Sequence, residues 1–218
     1  MNTILIDDIS SQGKAYRFLK AAILSLEFAA NQPLRTQELA SRLSLSRTPV
    51  REALSRLEQE GLVIRSGGWG YNVKPISFKE AMDVYKVREA LEVEAAKEAL
   101  DKMDSQLISQ LGTYLMRAEE ELKQGKVKEF RFHNKAFHSG IAKATGNACL
   151  QSMLNMIDDR VCLLGAMIVY RHVDRQKEAL KESHDILSAL RQKDQVAVEF
   201  AVRRHIGQSR ESLIKHVM

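Results

Sequence analysis

Two groups of side chains in this 218-residue chain have types and spacings that do chemistry. In EFRFHNKAFHSG, Asn134 and His138 stand four residues apart, so on a helix they share one face with Phe130, Phe137 and Ile141 and point inward. His184 and His205 flank a turn near Gln192-Lys193-Asp194, at distances that bring them to similar height in an antiparallel helical hairpin. Three imidazoles and one amide oxygen could thus converge on a divalent ion, and imidazole suits zinc or nickel. The same residues would also serve as hydrogen-bonded core histidines. His133 lies about 140° around the helix from His138, outside such a set. The second group is Ser46, Arg47, Thr48 and Arg51, at the start of a helix, where the positive end of the dipole favours anions. Guanidinium and hydroxyl groups placed there suit phosphate oxygens and guanine edges.

Composition bounds what these groups can serve. A hydrophobic share of 44% and a charged share of 28% are those of a globular protein. The net charge of +5 is mild, so any nucleic-acid footprint must be local. From Arg35 to Lys74 there are seven Lys/Arg against four Asp/Glu, a modest basic excess. Cys149 and Cys162 offer neither a metal spacing nor a disulfide framework, and reduced thiols are expected. The opening MNTILIDDIS lacks a positive n-region and turns acidic, unlike a signal peptide. The longest apolar run, VCLLGAMIVY, is about half a membrane span. A cytoplasmic protein is expected. No H-E-x-x-H, nucleophile elbow or phosphate-binding glycine loop is present, and no acid stands near the histidines in sequence as a general base would.

Two modules must position the two groups. All three prolines and four of the eleven glycines fall between residues 33 and 75, and the 143 residues after Pro75 contain no proline. This shift sets a boundary near Lys74–Ile76, giving modules 1–75 and 76–218. In the first, a helical stripe over 11–28 is broken by Asn31-Gln32-Pro33, and a short helix over 36–43 follows with Thr36 as its N-cap. After the turn Ser44-Leu45, a helix over 47–60 closes at Gly61. Val50, Ala53, Leu54 and Leu57 form its inner face, opposite Arg47, Arg51 and Ser55. Pro49 is tolerated because the first turn has no partner for its N–H. LVIR and YNVK, separated by Ser66-Gly67-Gly68-Trp69-Gly70, read as a hairpin. The fold class is mainly α: an N-terminal winged helix-turn-helix of three helices plus a β-hairpin wing, then an all-α antiparallel bundle of about six helices. The second helix of the helix-turn-helix pair, here that over 47–60, enters the major groove by its N-terminal end.

The run LRTQELASRLSLSRTPVREALSRLEQEGLVIRSGGWGYNV resembles the DNA-binding domain of the GntR family of bacterial transcription regulators. The resemblance implies operator contacts by Ser46, Arg47, Thr48 and Arg51, with Arg35 nearby and Gly68 in the wing. Trp69 stands where the family's wing tip commonly carries arginine. From about 76 to 210 the chain resembles the FCD-type effector domain of the FadR subfamily, through VREALEVEAAKEAL, the F-H-x-x-x-A-x-x-x-G-N run, S-H-x-x-L-x-A-L and the final R-R-H. Many such domains hold a metal with one aspartate and three histidines. Carried over, the histidines are His138, His184 and His205, with Asn134 in place of the acid. The resemblance further implies a small carboxylate effector held with help from arginine, for which Arg88 and Arg160 are the candidates.

Taken together, the leading expectation is not an enzyme. It is a ligand-responsive regulator, a repressor that binds a pseudo-palindromic DNA operator as a homodimer and senses a small organic acid in its bundle. A metal-dependent enzyme using the histidine cluster is the alternative. A ligand-free architectural DNA-binding protein would leave the inward polar residues of the bundle without a use.

Overall fold

In a computed structural model of the chain, the described residues are 10–67, 70–167 and 173–217, so Gly68 and Trp69 of the wing lie outside them. The chain divides into two compact units, Met1–Ser77 and Phe78–Met218. In the first, α1 (Ser11–Leu24) is capped by Ser10, whose hydroxyl accepts from the Gly13 N–H at 2.9 Å. It stops four residues short of the expected 28. Leu26 adopts a left-handed φ of 62°, and the chain turns back so that the Phe28 N–H reaches the Ala22 carbonyl and the Phe28 ring is buried.

Helix α2 (Thr36–Leu43) leads through a left-handed Ser44 into α3 (Arg47–Gln59). Arg35, not Thr36, occupies the N-cap position of α2, and no side chain caps that end. Gly61, at φ 73°, follows the end of α3 and lets the chain turn into the wing. The wing strands β2 (Val63–Ser66) and β3 (Gly70–Val73) form the expected antiparallel pair, with Val63 opposite Val73. A third strand, β1 (Pro33–Leu34), joins the other edge of β3 with Pro33 opposite Asn72. A proline is tolerated there because an edge strand need not donate on its free side, and Leu34 is buried.

The second unit contains α4 (Phe78–Ala99), a 3-10 turn (Leu100–Lys102), α5 (Ser105–Lys123), α6 (Val127–Ala144), α7 (Ala148–Met167), α8 (Val173–Gln192) and α9 (Gln195–Val217). Asp104 caps α5 by accepting from the Leu107 N–H at 2.7 Å, and Gly125 and Gly146 take the left-handed positions after α5 and α6. Helix α5 packs on α6 and α8, while α4 packs on α7 and α9. Tyr85, Phe130, Phe137, Leu111, Leu115 and Ile186 are among its fully buried side chains. Cys149 and Cys162 are free thiols. No helix among the described residues is long and apolar enough to cross a membrane.

Candidate functional site

The reading surface of the first unit is set by how α3 is anchored. Val50, Ala53, Leu54 and Leu57 are all completely buried, and this face packs on α1. At the far end of α3, Glu60 accepts from the Tyr16 hydroxyl at 2.7 Å and from Lys20 at 2.8 Å, and the Arg56 guanidinium lies 3.9 Å from the Tyr16 ring centroid. With that side fixed, Arg47, Thr48 and Arg51 project outward and are exposed. They line one concavity with Arg35, Thr36, Gln37 and Gly70. Arg47 and Arg51 have no hydrogen-bond or ion-pair partner among the described residues, whereas Arg35 is paired with Glu38 at 2.9 Å on the open surface. Ser46 is exposed at the N-cap of α3 and its hydroxyl makes no capping bond, and the first turn contains no acid. Sequence reasoning gave Thr36 a capping role only and did not single out Gln37. Their signal was the start of α2, a second polar helix end offered to the same surface.

The second unit carries a buried chain of polar groups. The Arg88 Nε lies 2.5 Å from Glu92 Oε1, and Glu92 Oε2 is 2.9 Å from His138 Nδ1. The His138 ring lies face to face with the His205 ring, centroids 5.0 Å apart. His205 Nδ1 is 2.8 Å from Glu182 Oε2, and Glu182 is gripped by both terminal nitrogens of Arg175 at 2.9 and 2.8 Å. Arg175 also donates to Ser209 Oγ at 3.1 Å. Two arginine–glutamate–histidine relays thus meet at the imidazoles. Burial alone would push Glu92 up, but Arg88 and His138 outweigh it and hold the carboxyl well below the usual range. Glu182 is lowered in the same way, burial being overcome by His205 and Arg175. Because Glu92 and Glu182 accept at Nδ1, the protons of both rings sit there and Nε2 is the remaining nitrogen.

Beside this chain lies a cavity of about 250 Å³ whose walls include Glu92, His138, Ser139, Asn155 and Asp158, with Ala95, Leu154, Ile186 and Val202 on the apolar side. The His138 Nε2 and the Asn134 Oδ1 are buried without a partner. Asp158 makes no hydrogen bond or ion pair with a described residue, and burial pushes its carboxyl up. Glu92, Glu182, Arg175 and Asp158 escaped the sequence reading. The Arg88–Glu92 spacing of four was its one local signal, because the contacts of both glutamates with histidine are made across helices.

The expected metal set does not assemble. His184 is exposed on α8 and lines a surface groove with Glu119, Lys123 and Lys181, while the buried positions of α8 at that height are Glu182 and Ser183. The height given by the sequence was sound, but one residue is about 100° of rotation and His184 falls on the outer face. Among the described residues no three His, Cys, Asp or Glu side chains converge as a metal site. Asn134 and His138 retain unpartnered donor atoms and His205 is adjacent, but two imidazoles and a neutral amide fall short of the four ligands a zinc site needs. The arginine clamp is not formed either. Arg88 is bound to Glu92, Arg160 is paired with Glu80 at 3.2 Å, and neither lines the cavity.

His205 gives the bundle a defined response to acid. Burial, only partly offset by Glu182, pushes its pKa from 6.5 to about 4. The folded ring is therefore neutral where the unfolded ring is charged. Its contribution is complete above pH 6.5 and is lost as pH falls toward 4, at a total cost of roughly 2–4 kcal/mol. Urea unfolding followed between pH 7.5 and 4.5 is expected to show this slope, and His205→Gln is expected to flatten it. Equal slopes in the two proteins would assign the acid sensitivity elsewhere.

Comparison with known proteins agrees with this two-part geometry. The family described as "Bacterial regulatory proteins, gntR family" matches residues 11–73, and the FCD domain family matches residues 83–208. The chain is 26% identical over 204 residues to the uncharacterized HTH-type transcriptional regulator YdhC of Bacillus subtilis, covering 93% of this chain and 90% of that one. It is 26% identical over 198 residues to the HTH-type transcriptional repressor RspR of Escherichia coli, covering 91% and 86%. The fold is that of E. coli McbR/YncC, with a TM-score of 0.85 at 21% identity over 95% of this chain and 98% of that one. These relatives are transcription regulators and not enzymes. With both matches falling on the two units described above, the chain belongs to the GntR family of bacterial transcription regulators, in the branch that carries an FCD domain.

Proposed function

We propose that this protein is a ligand-responsive repressor that acts in the cytoplasm, binds a pseudo-palindromic operator as a homodimer, and senses a small molecule in the cavity of its helical bundle. The observation that carries the DNA-binding part is the shared surface of Arg35, Arg47, Thr48 and Arg51, two of whose arginines have no partner among the described residues. A helix fixed on its apolar face, with uncommitted cations at its N-terminal end, suits the major groove. The repressing sense is supported by the name of the relative RspR. The sensing part is supported by a half-open cavity beside unpartnered polar atoms, in the domain matched by the FCD family. For the ligand to act, it must bind two arrangements of the dimer with different affinity.

A mobility-shift titration on DNA upstream of its own gene and of neighbouring genes tests the reading. A retarded complex is expected whose association constant falls linearly with salt on logarithmic axes, with footprints on two half-sites one or more helical turns apart. Absence of a complex on every promoter-proximal fragment at low salt would end the proposal.

A further inference from the structure

The cavity in the bundle says what kind of molecule fills it. We infer that the ligand is a small organic ammonium ion, seated with its charged group on Asp158 and His138 and its hydrocarbon part against the apolar wall. The inference rests on reading the bundle as the sensing module and names the chemical class that module takes.

The cavity wall carries two carboxylates and an unpartnered imidazole nitrogen beside the neutral side chains of Ser139, Gln151 and Asn155. Asp158 lines the cavity and is bound to no described residue. His138 is more than nine-tenths buried, lines the same cavity, and has its Nδ1 committed to Glu92. That leaves Nε2 buried and unpartnered, and in the neutral ring the Glu92 contact places the proton on Nδ1 and the lone pair on Nε2. Asn134 Oδ1, one turn earlier on α6 and outside the cavity wall, is also buried without a partner. Glu92 adds a second carboxylate to the wall. A ligand that completes such a site must bring donors, and a positive charge offsets the cost of holding Asp158 ionised out of water.

The alternatives fit less well. An anion would face the carboxylates of Glu92 and Asp158, and the one lysine or arginine among the described residues of the wall is Lys143, which is exposed. Arg88 and Arg160 are both spoken for by glutamates. A neutral polyol would bring donors but no charge. On the other side, Ala95, Ala142, Leu154, Ile186 and Val202 offer no polar side-chain atom, so part of the ligand is hydrocarbon. A cavity of about 250 Å³ sets its size at a handful of heavy atoms.

The test uses the full chain and probes of similar size that differ in charge: propylamine, propionate and 1-propanol, then putrescine, succinate and 1,4-butanediol. Each is titrated at constant ionic strength with a chelator present, by calorimetry and by thermal shift, and zinc and nickel are titrated separately without chelator. At least one of the two amines is expected to bind and raise the melting temperature. Its matched alcohol is expected to bind at least about tenfold more weakly and its matched carboxylate not at all. Asp158→Asn is expected to weaken amine binding by at least about tenfold. The comparison among these probes on the unmodified chain stands whether or not that variant folds.

The inference is overturned if no amine binds up to tens of millimolar, if a carboxylate or alcohol binds as well as its amine, if Asp158→Asn leaves amine binding intact, or if only a divalent ion binds. The same samples go into the operator mobility shift. Amine binding without any change in operator affinity would remove the sensing role and leave the site. Normal operator binding with no amine binding would remove the ammonium site and leave the regulator.

Discussion

Arg51→Ala is expected to lower operator affinity by about 1–3 kcal/mol, roughly tenfold to more than a hundredfold, while leaving the fold untouched. The guanidinium is exposed and has no partner among the described residues, so its loss costs the free protein nothing. It stands one turn after Arg47 on the face opposite the buried Val50, Ala53, Leu54 and Leu57. Base reading and phosphate contact give different signatures. A bidentate contact to guanine would make the loss large on the native operator and small on one mutated at that base. A phosphate contact would weaken all sequences alike and reduce the salt slope by about one. Arg65→Ala is the control, because Arg65 is on the wing, 3.0 Å from Glu58, outside the concavity. Affinities within twofold for Arg51→Ala and the unmodified protein would detach this helix from DNA.

The largest effect on stability is expected at Glu92. Glu92→Ala leaves the Arg88 guanidinium buried without its ion-pair partner, with only the more distant charge of Asp158 to offset it, and the His138 Nδ1–H without its acceptor. Removing one member of a buried ion pair costs about 3–5 kcal/mol, on the order of 10 °C in the melting temperature of the bundle. The double replacement Arg88→Met with Glu92→Leu is expected to recover most of that loss, since it removes the stranded charge rather than creating one. Chemical denaturation followed by helical circular dichroism measures both. A loss below about 1 kcal/mol for Glu92→Ala would mean that water reaches Arg88 freely and that the relay is not a buried one.

What could be read from the sequence divides along the range of the interactions involved. The reading head was legible because its determinants are local. The i, i+3, i+4, i+7 pattern of Val50 to Leu57 fixes which side of α3 is inward, and that alone fixes where Arg47 and Arg51 point. The strand at Pro33–Leu34 was not, because its pairing with Tyr71 and Asn72 spans nearly forty residues and two residues carry no period. In the bundle, counting residues from the α8–α9 turn gave a sound height for His184 and His205, but their azimuth was decided by packing. His205 turned inward to Glu182, while His184, two positions after that glutamate, turned out. The acids that hold the histidines stood out of sequence range, so the absence of a nearby acid in the chain did not translate into its absence in space.

The uncapped start of α3 limits how this protein can adapt. Ser46 makes no capping bond and the first turn carries no acid, so the helix forgoes stabilisation that an aspartate or glutamate there would supply, about 1 kcal/mol for a cap and somewhat less for a charge on the dipole. On the proposed operator-binding reading, either acid would stand where the phosphate backbone passes. Heat tolerance and grip on DNA therefore compete for a single turn of helix. A lineage pressed toward higher temperature would have to find its gain outside that turn, as at the loop after α1 where Leu26 and Asn31 both hold left-handed backbone.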